Sequence, residues 1–97
     1  MSVVKISKDL EDIIPDFMSY RKEDIENLDE AIKLKDFKTS QTIGHRLAGN
    51  GPGYGFDELG KIGVELEEVS KQENLDEVKR LADLYKSYLN GLTIEFE

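Results

Sequence analysis

The chain has 97 residues, 21 Asp and Glu against 13 Lys and Arg, a formal charge of −8 and no cysteine. That length makes a single domain over 1–97 the expectation, with its core about 8–91, and the absence of cysteine excludes disulfides and thiolate metal sites. The acidic balance argues against nucleic acid, which needs a basic face to displace phosphate counterions. No apolar run approaches the ~18 residues of a membrane span. The opening MSVVKISKDLEDII turns acidic by Asp9, Glu11 and Asp12. It therefore lacks the basic start and apolar block of an export signal, and a cytoplasmic protein is expected.

In chain order, Ser7 is a candidate N-cap for a short helical segment reaching Ile13. From Ile14 to Leu34 the apolar residues Ile14, Phe17, Met18, Ile25, Leu28, Ala31 and Ile32 step by three, four or seven. That spacing lines one face of a helix, and Pro15 falls in the first turn, where a missing N–H costs least. Asp36 is suited to cap a second helix from Phe37 towards Gly49. The run GNGPGYG, residues 49–55, then breaks regular structure. Phe56, Leu59, Ile62, Leu66 and Val69 restart the stripe. Asn74 with Glu77 three residues on resembles a capping box, opening a last helix with Leu75, Val78, Leu81, Ala82, Tyr85 and Leu89 inward. Asn90-Gly91 supplies its stop. Val3, Val4 and Ile6 are placed to cover the same end as Ile94 and Phe96. No sheet is expected from these short segments. The expected fold is all-α, an antiparallel four-helix bundle with a short extra N-terminal helix. All these stripes are read as core packing.

The second helix differs from its neighbours. It holds the only histidine, His45, among Gly44, Ala48, Gly49, Gly51, Gly53 and Gly55. A glycine inside a helix costs ~1 kcal/mol relative to alanine, and two explanations compete. Small residues let helices approach closely, or they clear space around a functional side chain. Residues 45, 48 and 49 share a helix face, so nothing long stands beside the imidazole. A lone histidine with no cysteine is a poor zinc site, and no EF-hand spacing appears. Ser40 lies on another face, which disfavours a catalytic triad and a hydrolase using His45 as a base. GNGPGYG lacks the Lys-Ser/Thr of a phosphate loop and follows a helix rather than a strand. What remains is histidine as nucleophile. Imidazole, with an ordinary pKa near ~6.5, is largely neutral at neutral pH and attacks phosphorus without a separate base.

The run His45-Arg46-Leu47-Ala48-Gly49-Asn50-Gly51-Pro52-Gly53-Tyr54-Gly55-Phe56 resembles the signature of histidine-containing phosphotransfer (HPt) domains, H-x-L-K-G followed by small residues. The likeness extends through DELGKIGVELE downstream and DFKTSQTIGHRL upstream, covering about Leu10 to Leu89. The resemblance implies a four-helix bundle whose histidine projects from the second helix. It also implies a phosphorelay carrier in two-component signal transduction rather than an enzyme, accepting a phosphoryl group from a receiver-domain aspartate and passing it to another receiver. His45 would be the phosphoacceptor, Gly49 the small residue clearing space for the partner, and Gly55 the end of the loop into the third helix. The resemblance implies no cofactor in the bundle, with Mg²⁺ held by the partner receiver domain. The partners would be response-regulator receiver domains, or a hybrid sensor kinase, with the carrier itself a free-standing monomer. One position departs from the pattern: the residue three after the histidine is usually Lys, and here it is Ala48. Arg46 is rotated roughly 100° away, so Lys38 and Lys61 are the other candidate cations for a phosphoryl group. The expected docking face combines the His45 surroundings with Ile43, Leu47 or Tyr54. The rival reading is a helical interaction module that docks to receivers without phosphotransfer.

Overall fold

A computed structural model describes residues 2–97. It is mostly helical, and among the described residues the regular elements run β1 (Ser2–Ile6), α1 (Ile14–Leu34), α2 (Phe37–Asn50), α3 (Asp57–Lys71), α4 (Leu75–Asn90) and β2 (Leu92–Phe96). The helix boundaries follow local chemistry. Pro15 occupies the first turn of α1. The Asp36 carboxylate accepts from the Thr39 amide at 3.1 Å and from the Thr39 hydroxyl, opening α2. Asn74 accepts from the Glu77 amide at 3.3 Å, opening α4. These side chains satisfy amide donors that have no partner inside the helix.

Two expectations are corrected at the chain ends. The short helical segment that Ser7 caps is shorter than expected, a single 3₁₀ turn over Lys8–Leu10 that does not reach Ile13, with Ser7 accepting from the Asp9 amide. The three acidic residues Asp9, Glu11 and Asp12 leave too few apolar positions to bury a face. Leu92–Phe96 is a strand that pairs in parallel with Ser2–Ile6, Ser2 opposite Leu92 and Ile6 opposite Phe96. Ile6 is buried, and Val4, Leu92, Ile94 and Phe96 pack against the same core. Packing therefore extends beyond the 8–91 segment at both ends. The period-two pattern of TIEFE is a real strand signal. Its partner lies at the other end of the sequence: the shared end expected for Val4, Ile6, Ile94 and Phe96 is found, but the ladder joining them is visible in neither segment alone.

One core joins all four helices. Ile14, Phe17 and Leu28 of α1, Ile43 and Leu47 of α2, Leu59, Ile62 and Leu66 of α3, and Val78, Leu81 and Tyr85 of α4 are buried together, with Phe56 between α2 and α3. The Phe17 and Phe56 rings stack at 5.0 Å. A polar cluster lies within this core: Arg21 Nε donates to Asp24 at 2.9 Å, and the Tyr85 hydroxyl donates to Asp24 at 3.3 Å. Burial, reinforced by the Asp24 charge, pushes the Tyr85 phenol far above its ordinary pKa, so it remains a donor. Among the described residues, no helix is long and apolar enough to cross a membrane.

The α2–α3 contact is the most intimate in the molecule. A Cβ on Gly44 would lie 2.5 Å from the Glu67 backbone nitrogen, and one on Gly63 would lie 2.5 Å from that of Ala48. The Ser40 and Ser70 hydroxyls meet at 2.7 Å further along the same seam. Later residues of α2 thus meet earlier residues of α3. At the far end, Gly55 takes φ 90° beside Ile6 and turns the chain into α3, a conformation in which a Cβ is strained.

Candidate functional site

His45 lies in the third turn of α2, and its side chain is 76 % exposed. Its neighbour Gly44 is buried against α3. The close helix approach at Gly44 brings the start of the Glu67 side chain alongside, and Glu67 Oε2 sits 3.0 Å from His45 Nδ1. A carboxylate can only accept, so Nδ1 carries the hydrogen and the Nε2 lone pair is left outward. No described residue hydrogen-bonds Nε2. Such an exposed pair contributes little to stability. Its consequence is orientation: the ring is held in one tautomer.

The residues flanking His45 divide by role. Nothing approaches within 4 Å of a Cβ built on Gly49, so the space one turn after the imidazole is open. Ala48 is half-buried and lines an apolar groove of about 400 Å³ with Pro52, Gly60, Lys61 and Val64. Val64 is 59 % exposed, a large apolar side chain at the rim of this groove. Arg46 turns the other way, towards Asp24 of α1 at 3.7 Å, as its position around the helix demands. Lys61 borders the groove but pairs with Glu58 at 3.8 Å. Gly55 lies away from the imidazole and acts through the turn it makes. On the other side of His45, Lys38, Gln41 and Thr42 of α2 and Ser70 and Lys71 of α3 line a more polar cleft of about 440 Å³.

Two expectations about the docking surface change. Ile43 and Leu47 are fully buried, and Tyr54 packs partly against the core beside Phe17. The exposed large apolar side chain on the groove beside Ala48 is Val64 instead. Glu67 and Lys71 are not identified by sequence reasoning. Both belong to α3, 22 residues or more from His45, and nothing local marks them. The spacing Glu67–Lys71 is a common i, i+4 ion pair, and here Lys71 Nζ lies 4.0 Å from Glu67 Oε2. Among the described residues, no group of three or more His, Asp or Glu is disposed to hold a metal ion. Comparison with family models, with curated proteins and with solved structures finds no match to this chain.

Proposed function

We propose that the chain is a phosphorelay carrier of the HPt type, an antiparallel four-helix bundle on which His45 accepts a phosphoryl group from the aspartyl phosphate of a receiver domain and returns it to another. The observation that carries the reading is the pairing of an outward Nε2 with an inward Nδ1 tied to Glu67. The sequence run from His45 to Phe56 and the open space at Gly49 support it. In the transfer step the Nε2 lone pair attacks phosphorus. An N–P bond forms while the P–O bond to the aspartyl carboxylate breaks, and the carboxylate leaves with its electron pair. The ring becomes cationic, and Glu67 faces the Nδ1–H that carries part of that charge. Positioning and charge stabilisation account for most of such a reaction. Mg²⁺ on the receiver would serve the phosphoryl oxygens, and the carrier would bring only a rigid nucleophile.

The reading favours a soluble, cytoplasmic, monomeric protein with response-regulator receivers, or a hybrid sensor kinase, as partners. A second reading, docking to receivers without phosphotransfer, is favoured by one feature: the residue three after the histidine, which lines the groove, is Ala48 rather than a lysine. Incubation with phosphorylated receiver domains separates the two. The carrier gains acid-labile, base-stable phosphate that His45→Gln abolishes. Binding of receivers without labelling would leave only the docking module. Equal labelling of His45→Gln and wild type would remove His45 from the mechanism.

A further inference from the structure

A phosphoryl group on Nε2 brings close to two negative charges to a protein that is already acidic. A cation near it must come from the groups around His45, and four basic side chains lie on or near the α2–α3 face. Arg46 is turned to Asp24 on the α1 side. Lys61 leans to Glu58 beside the Ala48 groove. Lys38 stands two turns before His45, about 10 Å along the helix axis. Lys71 alone is tied to the imidazole through a shared partner: Glu67 Oε2 is 3.0 Å from His45 Nδ1 and 4.0 Å from Lys71 Nζ. Helical side chains lean towards the N-terminus of their own helix. In α3 that direction carries Lys71 back over Glu67, and hence towards His45. The Lys71 side chain is half exposed and lines the same cleft as Lys38 and Gln41, so it has room to move.

We propose that Lys71, from the last turn of α3, is the charge-neutralising residue for a phosphoryl group on His45 Nε2, reaching it from the cleft side while the Ala48 side stays apolar. The inference rests on His45 being the phosphoacceptor. Before phosphorylation Lys71 pairs with Glu67. Afterwards the ammonium lies between that carboxylate and the phosphoryl oxygens, which compete for it. Glu67 keeps its other partner, the Nδ1–H. The acidic group bordering the cleft, Glu73, lies beyond Lys71 at the end of α3. Lys38 adds a more distant positive charge on the same side.

The test uses the intact protein and a small donor, potassium phosphoramidate. Its P–N bond breaks and ammonia leaves as the Nε2–P bond forms. The pH midpoint at which the phosphohistidine loses its last phosphoryl proton is then followed by ³¹P NMR. A nearby cation favours the dianion, so Lys71→Gln should move the midpoint up by about half a pH unit. Lys71→Arg should restore the wild-type value, and Lys61→Gln should leave it unchanged. The Lys71 effect should shrink in high salt, as for any exposed charge pair. A Lys71→Gln midpoint equal to wild type, or a shift produced by Lys61→Gln instead, overturns the assignment to Lys71 and leaves the carrier reading intact. No phosphohistidine signal from the wild type, or an equal one from His45→Gln, overturns both.

Discussion

Gly44 and Gly63 face each other across the α2–α3 seam so closely that each occupies the space a Cβ on the other would need. A Cβ on Gly44 would sit 2.8 Å from the Gly63 carbonyl oxygen, and one on Gly63 would sit 2.7 Å from the Gly44 carbonyl oxygen. The obstructing atoms are backbone, which cannot rotate away. This contact sets the separation of the two helices that carry His45 and Glu67.

Either Gly44→Ala or Gly63→Ala should therefore destabilise the fold, by about 1–3 kcal/mol, the usual range for overpacking. Urea unfolding followed by circular dichroism reads the loss directly. Phosphoryl acceptance should fall too, since forcing the helices apart lengthens the His45–Glu67 contact. Unchanged stability would mean that the helices can separate without cost.

Gly49 behaves in the opposite way. Beyond its own stretch of helix, no atom lies within 4 Å of a Cβ built there, so Gly49→Leu should match or exceed wild-type stability, by up to about 1 kcal/mol from helix propensity. The same side chain would crowd a partner approaching His45, and transfer from a receiver should slow at least tenfold. Thermal melts and single-turnover transfer assays give the two readings independently.

Ala48→Lys places an ammonium at the edge of the apolar groove, one turn from the imidazole. The half-life of the phosphorylated form should lengthen about threefold, the size of effect an exposed ion pair supports. The gain should be larger in a Lys71→Gln background, where the other cation is missing. Lifetimes of isolated phosphoprotein, measured by loss of label, check both statements.

Asp36 gives a pH signature. Its hydrogen bonds from the Thr39 side chain and amide hold its carboxyl below the ordinary value of 3.8. A lowered folded-state pKa means the cap contributes fully above the unfolded value and is lost as pH falls through the folded one. Asp36→Ala should lower the melting temperature at neutral pH and lose that effect progressively below about pH 4. A difference that persists undiminished in strong acid would mean that the neutral carboxyl caps the helix as well as the charged one.

Asp24→Ala should be the most damaging of these changes. Asp24 is 3 % exposed and takes hydrogen bonds from Arg21 and Tyr85. Its removal leaves a buried guanidinium unpaired, at a cost of about 3–5 kcal/mol. Replacing Arg21 as well, with Met, should recover much of the loss.

Much of the helical layout is legible in the sequence because its causes are local. Asp36 and Asn74 cap helices through residues three positions on, and Phe17, Leu28, Leu66 and Leu81 reveal buried faces by spacing alone. The glycines of α2 are legible only as a set. The structure divides them between the two rival explanations, with Gly44 serving close packing and Gly49 lying in open space. Ile43 and Leu47 flank the histidine in sequence, yet they point inward, because neighbours on a helix diverge by about 100° per residue. Glu67 reaches His45 only after α2 and α3 have packed, and Lys71 is tied to the imidazole only through Glu67, so no window around the histidine contains either. The strands fail to register for the same reason at greater range.

That range also bears on the order in which the molecule assembles. Val4 and Ile94 become partners across nearly the whole polypeptide. Closing so long a loop costs entropy that only prior contacts can offset. Contacts between successive helices close far shorter loops, so the two terminal ribbons should dock last. During synthesis, Ile6 must wait for Phe96 to be made before its pairing can form.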